Sequence, residues 1–151
     1  MVGCRTVQHL RSKKPAVFHA IMAAASHSKG SALSNKLHEE IIYYYARNLF
    51  IRAEKSIQLV QALLITIPYN TPPNHPAQLQ IYSYGNMAAS IAMELGLASK
   101  PRTHEELPKR AIRSLQKISS AEELLENCRT ILVIYTLMAG YVHQLLRRIY
   151  V

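Results

Sequence analysis

The stretch "ENCRTILVIYTLMAGYVHQLLRR", residues 126–148, is the most informative about how this chain folds. A run within it, residues 131–142, carries no charge and is flanked by Arg129 on one side and Arg147 on the other. A membrane-spanning helix needs about 20 consecutive apolar residues. Because the uncharged run is shorter and is followed by the polar His143, we expect no membrane span here. The run predicts a helix that packs in a protein core.

The rest of the chain shows the same helical pattern. Apolar residues recur every three or four positions, which is the period of one face of an amphipathic helix. One such stripe consists of Leu37, Ile41, Tyr45 and Leu49, and a second of Tyr84, Met87, Ala88, Ile91 and Leu95. No segment shows the period of two that is typical of a strand. The pattern predicts an all-α protein with about five to seven helices in a single segment, residues 1–151.

Proline, glycine and serine mark where these helices are predicted to begin and end. Pro15 suits the first turn of a helix, since the N–H that it lacks would have no helical partner there. The stretch "HSKGS", residues 27–31, is predicted to end that helix, and Ser34 to cap the next one. The strongest break is "NTPPNHP", residues 70–76. The last helix is predicted to begin near Ser120.

The charge balance is basic, with 18 Lys and Arg against 9 Asp and Glu and a formal net charge of +9. Such a surface can meet nucleic acid, anionic lipid or an acidic partner, but a charge run more often marks a solvated face. The N-terminal part carries Arg5, Arg11, Lys13 and Lys14 without interleaved aromatic residues. Any nucleic-acid binding there is expected to be weak and salt-sensitive.

The two cysteines, Cys4 and Cys128, match no zinc or redox spacing. Cys128 follows the helical pattern beside apolar residues, so we expect it to pack in the core as a small apolar side chain. No disulfide framework is expected, which indicates a reducing compartment. The N-terminal residues also lack the apolar stretch of a secretory signal.

Metal-binding motifs in the sequence are incomplete. The "HEEII" at His38 and the "HEELP" at His104 each lack the second histidine that a His-Glu-x-x-His zinc helix places one turn further on. His19 and His27 are eight residues apart and lack a third ligand. We therefore predict no metal-binding residue and no cofactor.

Catalytic motifs are missing from the sequence as well, since it has neither a Gly-rich phosphate loop nor a Gly-x-Ser-x-Gly elbow. Three carboxylate pairs occur, at Glu39/Glu40, Glu105/Glu106 and Glu122/Glu123. We place each in or near the first turns of a helix, where negative charge favours the helix dipole. Tyr43, Tyr44 and Tyr45 cannot form one stacking platform, because consecutive helix residues point about 100° apart. No catalytic residue is predicted, and we expect a non-enzymatic protein.

Four segments occur in a recognisable order. They are "LRSKKPAVFHAIMAAAS" at 10–26, "LVQALLITIPYN" at 59–70, "YSYGNMAASIAMELGLASKP" at 82–101 and the stretch at 126–148. Together they resemble the middle homology region, or regulatory domain, of fungal zinc binuclear cluster transcription factors. That family has a "VQALLLLS-Y" helix, a small-residue helix, a charged linker and a long apolar helix with an Arg-rich start. The resemblance covers about residues 6–150.

The resemblance implies part of a helical regulatory domain, which acts in transcription regulation in the nucleus and contacts protein partners. It also implies that residues 126–148 form a buried helix of a larger helical domain. The DNA-binding module of the family holds two zinc ions with six cysteines, whereas this chain has two cysteines. We therefore expect a truncated form that lacks this cluster and binds no specific DNA by itself. Apolar helix faces without covering partners are then expected to promote self-association.

The sequence leaves one alternative of a different class, a small helical enzyme or ligand-binding protein with an unrecognised site. A convergent set of polar residues on inward helix faces would distinguish this alternative. The helical pattern of the sequence shows no such set.

Overall fold

The computed structural model describes residues 7–69, 80–97 and 121–149. The helices are α1 (Val7–Lys13), α2 (Pro15–Ser26), α3 (Ser31–Tyr45), α4 (Ile57–Thr66), α5 (Ile81–Glu94) and α6 (Ala121–Ile149). These ranges contain no strand, so the predicted all-α class with five to seven helices is confirmed. No helix within them is both long and apolar enough to cross a membrane.

Residues close in sequence determine where the helices start, and one of the predicted starts is corrected. Pro15 opens α2 as predicted, and Ser56 caps α4, its hydroxyl accepting from the Leu59 N–H at 3.4 Å. The predicted cap at Ser34 is wrong, because α3 already begins at Ser31. Gly30 precedes it at φ 111° and ψ 154°, a conformation that glycine adopts far more readily than other residues. The predicted break at 70–76 and the predicted start at Ser120 lie outside the described residues.

The core is built around α4. Its side chains Leu59, Val60, Ala62 and Leu63 are at most 1% exposed. Helix α4 contacts α2, α5 and α6, and its contact with α2 is the most extensive between any two helices of the described ranges. On α2 the buried apolar residues are mostly alanines, and small side chains allow two helix axes to approach closely.

Both predicted apolar stripes are confirmed. On α3 the side chains of Ile41 and Tyr45 are buried, and on α5 those of Tyr84, Ala88 and Ile91 are buried. The remaining members of the two stripes are partly buried against this core. The spacing of apolar residues was therefore a sufficient guide to the inward faces of α3 and α5.

A π-helical turn, Ala46–Ile51, continues α3 and was not predicted. The Arg52 N–H donates to the carbonyl of Arg47 at 3.0 Å, which is the i to i+5 bond of a π-turn. Buried Asn48 stabilises it, since its Nδ2 donates to the Tyr44 carbonyl at 2.9 Å. The wider turn leaves Phe50 71% exposed, and nothing in the spacing of apolar residues signals it.

Helix α6 lies against α4 and α5. Ile134 and Thr130 are buried among the side chains of α6 that the structure describes, at 8% and 4% exposure. Its Tyr141 packs closely on α5, where a Cβ atom at Gly85 would lie 3.1 Å from Cε2 of the tyrosine. The absence of a side chain at Gly85 therefore allows this approach of α5 and α6.

We predict that Ile134→Asp unfolds the protein, whereas Leu132→Asp does not. A buried carboxylate without a partner costs several kcal/mol, comparable to a total stability of roughly 5–15 kcal/mol. Leu132 undergoes the same chemical change two residues away at 63% exposure. Circular dichroism should show lost helicity for Ile134→Asp and a helical, cooperatively melting Leu132→Asp. Equal melting of Ile134→Asp and the parent would contradict the burial of this face.

Candidate interaction surface

The outward face of α6 is an extended apolar feature of the described surface. We define the outer stripe as Leu125, Cys128, Leu132, Tyr135 and Ala139, all of which are exposed. Leu125, Leu132 and Tyr135 are 50%, 63% and 72% exposed. The uniform burial of this helix that the resemblance implies is therefore absent among the described residues, because α6 buries only one face.

The predicted burial of Cys128 is wrong. Its side chain is exposed and makes no disulfide. Two residues further on, Thr130 is buried, and two steps of about 100° place their side chains on nearly opposite faces of the helix. Helix α6 carries apolar side chains on two faces. The helical pattern assigns Cys128 to one of these faces but does not indicate which face packs against the core.

A polar cluster fixes the rotation of α6. Lys14, between α1 and α2, forms an ion pair with Glu126 Oε1 on α6. Gln61 Nε2 on α4 donates to the same oxygen at 2.8 Å and to Thr130 Oγ1 at 3.3 Å. Hydrogen bonds to charged groups are stronger than neutral ones. Since the cluster holds one side of α6 against α4, the outer stripe is held facing solvent.

The same cluster reduces the number of basic N-terminal residues that can contact nucleic acid. Lys14 is engaged with Glu126 and is only partly exposed, so it is not a free phosphate contact. Arg11 and Lys13 are exposed at the end of α1, and Arg5 lies outside the described residues. Among the described residues of the predicted basic group, Arg11 and Lys13 are therefore available to nucleic acid and Lys14 is not.

The three tyrosines at 43–45 differ in burial, as their spacing on a helix predicts. Tyr43 is 75% exposed, and Tyr45 is buried at 3% exposure. The Tyr45 hydroxyl is 2.7 Å from Thr66 Oγ1 on α4. Tyr44 is half-buried, and its ring lies 5.4 Å from the ring of His19. The three rings do not form a common platform.

The histidines and carboxylates give no metal site in the described ranges, where no three of His, Cys, Asp and Glu converge. His27 Nε2 lies 2.6 Å from the Tyr69 carbonyl oxygen, at the end of the turn after α4. The Glu39/Glu40 pair does not lie in or near the first turns of a helix as predicted, because α3 begins eight residues before Glu39, at Ser31. Glu122 and Glu123 do occupy the first turn of α6. His104 and the pair at 105–106 lie outside the described residues.

Burial raises the pKa of several tyrosines. Desolvation raises the pKa of Tyr45 far above its ordinary value of 10.0, although the hydrogen bond with Thr66 partly opposes this. Desolvation also raises the pKa of Tyr84 and is the main cause that raises the pKa of Tyr141. A tyrosine with a raised pKa stays neutral at physiological pH. These hydroxyls therefore act as packing groups and not as bases.

One buried hydroxyl lacks a hydrogen bond within the described part of the chain, that of Tyr141. Its ring lies edge-on to Tyr82, with the two centroids 4.9 Å apart. A small-molecule site uses several convergent polar groups in a concave pocket. A single hydroxyl between aromatic rings does not supply that arrangement.

The chain has no match among protein-family models, curated proteins or solved structures. Inference about its function therefore rests on the geometry of its own surface and on the sequence resemblance.

We predict that stability falls as the pH rises above about 10, and that Tyr45 causes part of this loss. Above that pH the unfolded chain releases the tyrosine proton while the folded state keeps it, so ionisation favours unfolding. Each such tyrosine adds a slope of up to about 1.4 kcal/mol per pH unit. Urea denaturation at several alkaline pH values should show a shallower slope for Tyr45→Phe.

The neighbouring Tyr43→Phe is the matched control for this measurement. Tyr43 is 75% exposed, so removing its hydroxyl leaves the buried tyrosines in place and the slope should equal that of the parent. At neutral pH, Tyr45→Phe should lose about 1 kcal/mol with the hydrogen bond to Thr66. An unchanged alkaline slope in Tyr45→Phe would contradict the buried, neutral state of this side chain.

Proposed function

We propose that this chain is a non-enzymatic interaction module of a transcription regulator, similar to the regulatory domain of fungal zinc-cluster transcription factors. The observation that carries the proposal is the outer stripe of α6, an apolar surface held outward by the cluster around Glu126. Large exposed apolar surfaces mark sites where other macromolecules bind. The order of the four sequence segments supports transcription, and hence the nucleus, as the setting.

The recognition mode that fits this surface is helix packing. The stripe presents apolar side chains at i, i+3 and i+7 along a helix, which is the pattern by which amphipathic helices dock into grooves or onto other helices. Leu125, Leu132 and Tyr135 would supply the main contacts. In this proposal the chain binds proteins and leaves specific DNA recognition to a separate zinc-cluster module.

The rigid support of the stripe favours this role. The polar cluster reaches α6 from α4 and from the α1–α2 junction, and Ile134 packs into the core on the side of α6 away from Leu132. A surface that is already ordered before binding loses less conformational entropy on association. The stripe can therefore bind with a modest contact area.

A reporter assay tests the proposal. The full chain is fused to an unrelated DNA-binding domain and expressed in a fungal cell with a reporter that carries the matching operator. We predict that the fusion changes reporter transcription several-fold relative to the DNA-binding domain alone, and that Leu132→Asp removes most of the change because it places a charge in the stripe.

Leu33→Asp is the matched control. Leu33 is 46% exposed in the first turn of α3, where an added negative charge favours the helix dipole. It should leave the reporter effect unchanged. A soluble, nuclear fusion that leaves transcription at the level of the DNA-binding domain alone would refute the proposed function.

A further inference from the structure

The outer stripe has the spacing of a coiled-coil seam. Its members, at positions 125, 128, 132, 135 and 139, are separated alternately by three and four residues. This 3.5-residue period keeps one edge of a helix against a partner helix along its length. From Leu125 to Ala139 the seam extends about 21 Å at about 1.5 Å per residue. We propose that the seam is the interface of an antiparallel homodimer, in which α6 pairs with α6 of a second copy.

Side-chain size supports a second copy in the antiparallel direction. A two-fold axis midway between positions 128 and 132 places the small Cys128 opposite Leu132 of the other copy, so that seam residues meet seam residues. The same axis places Leu125 opposite Tyr135, an aliphatic side chain against an aromatic ring. Both side chains are exposed on the described helix. A two-fold interface of this kind is self-complementary and closes at two copies.

Charge along α6 supports the same direction. Its first turn carries Glu122 and Glu123, and its C-terminal part carries His143, Arg147 and Arg148. Antiparallel pairing keeps the two acidic starts at opposite ends of the interface, and it sets the two helix dipoles in opposition. Parallel pairing would instead bring acidic starts together.

The fold reduces what this association costs. A seam of two heptads is too short to form a stable coiled coil from unfolded peptides, because helix formation itself is unfavourable at that length. Here α6 is already helical and is anchored through Ile134, Thr130 and Glu126. The short seam still predicts a small interface and hence a weak dimer, with association at protein concentrations on the order of 100 µM.

Sedimentation equilibrium of the full chain over a range of concentrations tests the dimer. The mass should rise from that of one chain to that of two, Leu132→Asp should remain monomeric with an unchanged circular dichroism spectrum, and Leu33→Asp should associate like the parent. A monomer at every concentration overturns the proposal. Association that Leu132→Asp leaves unchanged places the interface elsewhere and also overturns it.

Disulfide cross-linking tests the orientation. In a Cys4→Ser background, the axis places Cys128 of one copy opposite Leu132 of the other. Leu132→Cys should therefore yield an oxidised dimer through Cys128, whereas Cys128 alone should yield little. Efficient cross-linking through Cys128 alone would indicate parallel pairing and overturn the antiparallel arrangement.

This inference rests on the proposed role of the outer stripe as an interaction surface, and the two can fail separately. A chain that remains monomeric but still changes reporter transcription through Leu132 keeps the proposed function and loses the dimer. A chain that forms the antiparallel pair but is silent on the reporter keeps the dimer and loses the proposed function.

Discussion

The described structure depends on the burial of α4. This ten-residue helix places Leu59, Val60, Ala62 and Leu63 almost completely out of solvent, and α2, α5 and α6 each pack against it. Helix α3 is tied to it by the hydrogen bond between Tyr45 and Thr66. Full burial of apolar side chains is the dominant favourable contribution to folding. A helix surrounded in this way sets where its neighbours can lie.

The few polar groups of α4 then determine how those neighbours are rotated. Gln61 is the polar residue of α4 that reaches α6, and it bonds both Glu126 and Thr130 there. Lys14 completes the arrangement from the junction of α1 and α2. Partly buried hydrogen bonds of this kind have defined geometry, whereas apolar contacts tolerate rotation. The outward position of the α6 stripe follows from this polar cluster together with the burial of Ile134.

Two of the described side chains that the sequence analysis considers for chemistry are engaged within the fold. Tyr45 bonds Thr66, and His27 lies against the Tyr69 carbonyl. The outer stripe of α6 is an exposed apolar surface carried by an ordered helix. The resemblance to a regulatory domain implies that other helices cover this surface. The proposed pairing of two α6 helices would cover it in a way that the charge and size of its own residues favour.

The all-α class, the inward stripes of α3 and α5 and the start of α2 at Pro15 could all be predicted from the sequence, because periodicity and proline geometry act over a few residues. The orientation of α6 could not, since the helix carries two apolar stripes and the contact with Gln61 and Lys14 selects between them. This is why the prediction for Cys128 is wrong. The start of α3 depends on the backbone conformation of Gly30, and the π-turn depends on the side-chain hydrogen bond of Asn48. Neither feature changes the spacing of apolar residues, so periodicity does not predict them. Local patterns thus specify which segments are helical, and contacts between segments distant in sequence specify which face of a helix is left to bind a partner.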